Sequence, residues 1–185
     1  MEALEAIYTR QSVGKVKPDP VPHALIENLL SAAVQAPNHY KVRPWRFVVL
    51  EGVARERLGE VMADSLRAEH PEYPPEAFDK EKGKPLRSPV LIAVGVDKPS
   101  EEKVIEVENI CASAAAVENL LLAAHAEGLA AKWRTGGPAR DPKVKQFLGF
   151  EPDQYLIAFV YLGYPEFESS PAERPSFEDR TVWME

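Results

Sequence analysis

Three short segments of the chain carry side chains that could together bind a planar, anionic ligand. In Arg10-Gln11-Ser12, a guanidinium and a hydroxyl could both donate hydrogen bonds to phosphate oxygens. A second segment, from His39 to Arg43, adds a cationic connection between a helix and a strand. A third, 132–137, is a strand end that finishes in Gly136-Gly137, where the backbone can approach a flat ring closely. The combination predicts a site for a phosphate at one end and a flat heteroaromatic group at the other.

Each segment also has an interpretation that needs no ligand. Arg10 could simply end a helix, where the macrodipole stabilises a cation. His39, Lys41 and Arg43 could be solvated residues of a turn, and Trp133 could be a core aromatic residue. The ligand interpretation is favoured because all three segments repeat the same combination of hydrogen-bond donors and accessible backbone.

The sequence lacks the motifs of several other catalytic classes. No G-x-G-x-x-G follows a strand and no P-loop occurs, which argues against a Rossmann nicotinamide site or an ATP site. The four histidines and the single cysteine lack metal-ligand spacing, and there is no G-x-S-x-G nucleophile elbow. We therefore predict no bound metal and no catalytic side chain; a bound cofactor would carry the reactive group.

Composition predicts an ordinary globular protein. The chain has 185 residues, 45% hydrophobic and 28% charged, which suits a single domain over 1–185. Its formal net charge of −7 argues against a general affinity for nucleic acid or anionic lipid. No signal peptide or apolar run of roughly 20 residues is evident, so we expect a cytoplasmic protein without a membrane partner. Cys111, the only cysteine, lies in an apolar run and is predicted to be a small buried residue.

Hydrophobic periodicity predicts interleaved helices and strands. The helices cover 2–10, 22–36, 53–66, 101–127 and 141–147, and the strands cover 46–50, 90–96, 130–135 and 156–163. These helices are sufficient to cover both faces of a sheet. We therefore predict an α+β fold, a three-layer sandwich around a small mixed sheet.

Two further segments break the periodic pattern. Residues 67–88 contain clustered prolines and lysines, and they could form either a solvated, mobile excursion or a lid over a site. Residues 164–185 are rich in proline and glutamate, yet they end in the apolar group Val182-Trp183. This tail has little local partner in the sequence, and we expect that it could reach a second subunit.

An ordered set of motifs resembles the FMN-dependent nitroreductase family. The set consists of Arg10-Gln11-Ser12, Ala36-Pro37, Pro44-Trp45-Arg46-Phe47, a long helix ending in Ala123-Ala-His-Ala-Glu-Gly128-Leu, Trp133-Arg134-Thr135-Gly136 and Tyr161-Leu-Gly-Tyr-Pro165. These motifs occur in the order and spacing of that family and cover nearly the whole chain. The resemblance is closest to a short bacterial branch that shares Ala-Pro-x-His and Trp-Arg-[Ser/Thr]-Gly.

The resemblance implies an activity and an assembly. It implies an obligate homodimer with two FMN sites at the interface, and NADH or NADPH as the electron donor. Hydride would pass to flavin N5, and a nitroaromatic, a quinone or a similar small molecule would then take the electrons in a ping-pong cycle.

The same resemblance leaves two alternatives open. One is another flavin chemistry on this fold, such as dehalogenation, ene reduction or flavin breakdown; the other is a flavin-binding or structural dimer without turnover.

The resemblance also implies site residues. Arg10, Gln11 and Ser12 would hold the phosphate end of FMN, His39 would approach the flavin from the opposite wall, and the ring would lie along residues 133–135. The implied cofactor-binding set is Arg10, Gln11, Ser12, Gln35, His39, Trp133, Arg134 and Thr135, and the implied substrate or nicotinamide vicinity is Lys41, Arg43, His125 and Gly128.

Four positions depart from the pattern of the family. Gly14 stands where many relatives have Arg or Lys, and Gln35 replaces an Arg of close relatives. Lys41 and Arg43 stand where many relatives have Asn or Ser and Gln. The sequence therefore predicts one cation fewer near the phosphate and two cations more near the ring or the substrate entrance.

Overall fold

The computed structural model describes residues 1–167 and 172–185. In chain order, its helices are α1 (Ala3–Thr9), α2 (His23–Ala33), α3 (Val53–Glu69), α4 (Pro75–Lys82), α5 (Glu106–Ala126) and α6 (Pro142–Phe147). Its strands are β1 (Trp45–Glu51), β2 (Val90–Val96), β3 (Ala130–Arg134) and β4 (Tyr155–Gly163). Short 3₁₀ turns cover His39–Lys41, Lys84–Arg87, Gly137–Ala139 and Glu178–Arg180. The nine elements expected from periodicity are all present, with small shifts at their ends.

The four strands form one sheet in the order β1-β2-β4-β3. Every neighbouring pair is antiparallel, from Trp45 opposite Val96 to Ala130 opposite Gly163. The expectation of a mixed sheet was therefore wrong. The reason is that β2 and β3, which the crossover through α5 leaves running in the same direction, are not neighbours: β4 lies between them and runs opposite to both.

Helices cover both faces of the sheet, which confirms the α+β class. On one face, α2 and α5 pack on a core that includes Leu29, Val94 and Leu120. On the other face, α3 and α6 pack on a second core that includes Leu58 and Phe159. Strand β2 is buried along its whole length because it lies between both cores.

Helix α5 is the longest element, and its two sides differ. It has 21 residues with a mean hydropathy of 1.3, so by length and composition alone it could span a membrane, contrary to the expectation of no such run. Its inner side packs against α2 and all four strands of the sheet, as a core helix does. Its outer side carries an outward stripe, which consists of Val107, Cys111, Ala115, Glu118 and Leu122, all exposed or half-buried.

Cys111 corrects a second expectation, because it is exposed and not buried. An apolar run on a helix predicts burial of the residues in general. It does not tell which side of the helix faces the sheet.

Segment 67–88 is more regular than its prolines suggest. Helix α3 continues to Glu69, and Pro75 starts α4 at its first turn, where a missing backbone N–H costs little. Helix α4 packs on α3 through the buried Phe78, and Lys82 pairs with Glu60 at 2.6 Å. The segment is thus helical and attached, and its role as a lid stays a prediction.

Candidate functional site

The turn after α1 is fixed against the edge of the sheet. The backbone N–H of Val13 donates to the carbonyl of Ala131 on β3 at 3.1 Å, and that of Lys17 donates to the carbonyl of Tyr164 at 2.8 Å. A β-bridge also joins Val16 to Pro165. These bonds hold residues 10–17 next to β3 and the end of β4, so the predicted phosphate-binding residues have a defined position.

Arg10 lies at the start of this turn and is held by α5. Its Nε is 3.3 Å from Oε1 of Glu118, and its side chain is 19% exposed. Arg174, from the C-terminal tail, donates to the carbonyl of Arg10 at 3.3 Å. The sequence analysis missed Arg174, because a single basic residue in a Pro- and Glu-rich segment gives no signal of its own. Ser12 follows Arg10 by two residues and is exposed.

A cleft of about 400 Å³ brings four of the predicted residues together: Arg10, Gln11, His125 and Gly128. It lies between the end of α1, the end of α5 and the start of β3. The ring of His125 is fixed there, because its Nε2 is 2.7 Å from the hydroxyl of Thr9. The cleft therefore places His125 and Gly128 next to the turn of Arg10, and their role toward a nicotinamide stays a prediction.

A smaller pocket of about 90 Å³ lies at the end of β3, lined by residues that include Lys84, Arg134, Thr135, Gly136 and Tyr161. The guanidinium carbon of Arg134 is 5.7 Å from the centre of the Tyr161 ring. Burial raises the pKa of the Tyr161 phenol, and the positive charges of Arg134 and Arg87 act against that rise. Gly136 has a φ of 100°, which only glycine adopts readily. The strand end can thus present bare backbone and a cation to a flat ligand.

Trp133 points away from that pocket. Its indole Nε1 donates to the carbonyl of Ile157 at 2.8 Å, and its ring packs against the core on the α5 side of the sheet. The side chain therefore has the structural role considered above, and any contribution of Trp133 to a ligand site would come from its backbone.

The His39–Arg43 connection is an exposed loop in an unusual conformation. Tyr40, Lys41 and Arg43 have φ values of 50°, 57° and 52°, in the left-handed region that disfavours side chains. Nδ1 of His39 lies 2.7 Å from Oε2 of Glu108, and Asn38 Oδ1 accepts from the Arg43 N–H at 2.9 Å. Such strain persists where surrounding contacts enforce it, and it often marks functional loops.

Lys41 and Arg43 are exposed, and within residues 1–167 and 172–185 no carboxylate lies within 4.0 Å of either cationic group. Gln35, at the end of α2, is also exposed, and its Nε2 donates to the carbonyl of Ser31 at 3.1 Å. The loop thus offers unpaired positive charge, whereas Gln35 is partly engaged by its own helix.

The loop and the Arg10 turn are not brought together within one chain. His39 is held by Glu108, and Arg10 is held by Glu118, ten residues further along α5. With a rise of 1.5 Å per residue, the two anchoring points are about 15 Å apart along the helix. A single chain therefore presents two separate groups of predicted residues, joined by the outward stripe of α5.

Comparison with known proteins agrees with this architecture. The model of the family described as "Nitroreductase family" matches residues 7–164. A protein of Escherichia coli (strain K12), named "Putative NAD(P)H nitroreductase YdjA", is 32% identical over 171 residues, which cover 92% of each chain.

Solved structures of similar proteins share the fold along its full length. A nitroreductase-like family protein from Bacillus cereus superposes with a TM-score of 0.84 at 23% identity, covering 100% of this chain and 97% of the other. A "putative nitroreductase in complex with FMN" from Desulfovibrio desulfuricans has a TM-score of 0.75 at 26% identity, with the same coverage. The match of the family model over most of the sequence, together with the YdjA relative, confirms the resemblance drawn from the motifs: the chain belongs to the nitroreductase family.

Proposed function

We propose that the protein is a homodimeric, FMN-dependent NAD(P)H oxidoreductase that reduces a small acceptor such as a nitroaromatic or a quinone. The observation that carries the proposal is the alignment of three features along one edge of the sheet. These are the Arg10 turn with Arg174, the cleft at His125, and the glycine-containing end of β3. The names of the relatives above give the same enzyme class and cofactor. A cytoplasmic location, where NAD(P)H is available, is part of the same proposal.

The residues at the phosphate end fit FMN. Arg10 and Arg174 bring two guanidinium groups to one turn, and Ser12 adds an exposed hydroxyl. Guanidinium groups form the strong, charge-assisted hydrogen bonds that a phosphate dianion accepts. The ion pair with Glu118, made through Nε, orients the guanidinium group of Arg10. The other N–H groups of that guanidinium point away from Nε.

The residues at the ring end fit a flat heteroaromatic group. Gly136 has no side chain to hold a ring away from the strand, and Arg134 adds positive charge at the pocket, where Lys84 is paired with Glu81. Bound FMN would supply the hydride-transfer chemistry between the nicotinamide and the acceptor. Arg134 would stabilise the negative charge that accumulates on the ring, because a preorganised cation offsets charge that develops beside it.

The proposed dimer would complete each site. A twofold axis beside the outward stripe would align two copies of α5 in opposite directions. The His39 loop of one copy would then lie near the Arg10 turn of the other, although the two are about 15 Å apart along one helix. The exposed Val107, at 59%, and the exposed Cys111 would be covered by the same contact.

A cofactor assay followed by kinetics tests the proposal. The purified protein is expected to be yellow and to release FMN on denaturation, identified by mass spectrometry. With NADH or NADPH and a quinone acceptor, initial rates at several fixed acceptor concentrations should give the parallel double-reciprocal lines of a ping-pong cycle. A protein that binds no flavin after incubation with FMN would overturn the proposal. Flavin binding without turnover of any acceptor would reduce it to a flavin-binding dimer.

A further inference from the structure

We infer that Lys132 supplies, from β3, the positive charge that Gly14 does not provide at the cofactor site. The inference depends on the proposed function, because the anion that Lys132 would hold is FMN. The sequence predicted one cation too few near the phosphate, since Gly14 has no side chain. The structure shows a cation in the space that a side chain at position 14 would enter.

The geometry that carries the inference is a close approach across the edge of the sheet. A Cβ atom built on Gly14 would lie 3.1 Å from Cδ of Lys132 and 3.4 Å from its Nζ. The distance to Cδ is tighter than most contacts of a real Cβ, and the distance to Nζ is at the short end of ordinary van der Waals contact. Gly14 does not have the positive φ that would itself require glycine. The absence of a side chain at position 14 therefore serves to make room for the ammonium group of Lys132.

The position of Lys132 lies between the two halves of the proposed site. Gly14 follows Ser12 by two residues, so the two Cα atoms are at most about 7 Å apart. Lys132 precedes Arg134 by two residues on β3, and residues so spaced point to the same face of a strand. Trp133, between them, packs on the opposite face. Lys132 thus stands beside the turn of Ser12 on one side and the pocket of Arg134 on the other.

The charge of Lys132 has no carboxylate partner among the described residues. The residue is half-buried, and across the described ranges no carboxylate lies within 4.0 Å of its ammonium group. The other half-buried cations have partners: Arg10 and Lys84 pair with Glu118 and Glu81, and Arg55 and Lys145 donate to the backbone carbonyls of Ser88 and Pro152. A cation that is partly withdrawn from water gains from a nearby anion, and an anionic cofactor in this site would supply one.

Titration of the cofactor-free protein with FMN, followed by quenching of flavin fluorescence, tests the inference. Lys132→Met keeps the length of the side chain and removes the charge, so FMN should bind about tenfold more weakly or worse, the loss of one charge-assisted contact. Lys132→Arg should stay within about threefold of the parent, since the charge is kept. Lys143→Met, an equal change of charge at an exposed residue of α6, is the matched control and should bind as the parent does.

A swap of the two positions makes the test specific. Lys132→Val removes the long side chain that lies against residue 14. Gly14→Lys then restores an ammonium group, which is now carried by the turn after α1. The double variant should recover FMN affinity to within about threefold of the parent, whereas Lys132→Val alone should not. Thermal unfolding of each variant shows whether a loss of binding reflects loss of the fold.

The outcomes separate this inference from the proposed function. A parent that binds FMN together with a folded Lys132→Met variant of equal affinity would overturn the role of Lys132 and leave the function standing. The same holds if the swap fails to restore binding although the double variant is folded. A parent that binds no FMN would overturn both.

Discussion

Replacement of Arg10 by alanine is the most direct test of the phosphate end of the site. The side chain leaves the turn after α1, and with it the ion pair to Glu118 at 3.3 Å. The backbone of the turn should stay in place, because it is held by Val13 and Lys17 through main-chain hydrogen bonds to Ala131 and Tyr164. The variant should therefore fold and lose chiefly the contact to the phosphate.

The expected loss of FMN affinity follows from the exposed fraction of the Arg10 side chain and from its ion pair with Glu118. The side chain is only 19% exposed, so its bond to a phosphate is incompletely screened by water. A hydrogen bond to a charged group contributes about 1.5–3 kcal/mol, which corresponds to a roughly 10- to 150-fold increase in Kd. The Glu118 carboxylate would stay near the phosphate and add repulsion. Glu118→Gln in the Arg10→Ala background should thus recover about three- to tenfold, a modest value because Glu118 is 47% exposed.

The assay compares FMN with riboflavin, which has the same ring and no phosphate. Kd values come from fluorescence titration of the cofactor-free parent, Arg10→Ala, and the double variant with Glu118→Gln. The matched control is Arg67→Ala, since Arg67 also pairs with a carboxylate, that of Asp64, on the outside of α3. The predicted result is a loss for FMN in Arg10→Ala, little change for riboflavin, and no change in Arg67→Ala.

Two results would refute this reasoning. If Arg10→Ala bound FMN as tightly as the parent, Arg10 would serve only to end α1 and to pair with Glu118. If FMN and riboflavin lost affinity equally, the residue would shape the site without contacting the phosphate.

Three other predictions address the assembly, the loop and the buried phenol. Light scattering should report a dimer because α5 exposes an apolar stripe, and a stable folded species near 20.6 kDa would contradict this. Changing Lys41 to Ser and Arg43 to Gln should lower the midpoint potential of the flavin and disfavour anionic acceptors; an unchanged potential and acceptor ranking in a redox titration would make both residues solvated loop cations. Burial raises the pKa of Tyr161, so its contribution to stability is complete below the ordinary phenol pKa of 10.0 and is lost as the pH rises through the higher folded value. Urea unfolding should therefore show a smaller alkaline loss of stability in Tyr161→Phe than in the parent, and equal losses would contradict it.

The elements of the fold could be predicted because local patterns determine them. A short apolar run rich in β-branched residues, such as Val90–Val96, favours a buried strand, and a stripe such as Ile26, Leu29 and Ala33 gives the inner side of a helix. Helix α4 was missed because Pro74-Pro75 signals a break, although proline also starts helices. The direction of the strands and the outward position of Cys111 depend on how the elements pack, which no local pattern contains.

The candidate site was predictable in its types of residue and less so in its geometry. Arg10, Gln11, His125 and Gly128 line one cleft, while their roles toward a cofactor stay predictions. Lys132 belongs to the third predicted segment, but its relation to Gly14 gave no signal, because the two residues are remote in sequence and meet only across the sheet edge. Arg174 was missed for the same reason, since it reaches Arg10 from the far end of the chain.

The strained loop gives an independent argument that the site is assembled from two copies. A non-glycine residue in the left-handed region costs roughly 1–2 kcal/mol, and Tyr40, Lys41 and Arg43 all adopt it. Within its own chain the loop contacts α5 through His39 and Glu108, yet it covers no cleft there that holds the Arg10 turn. We expect that the loop presents these side chains to a second copy, where the remaining half of the predicted site would lie at the opposite end of the outward stripe.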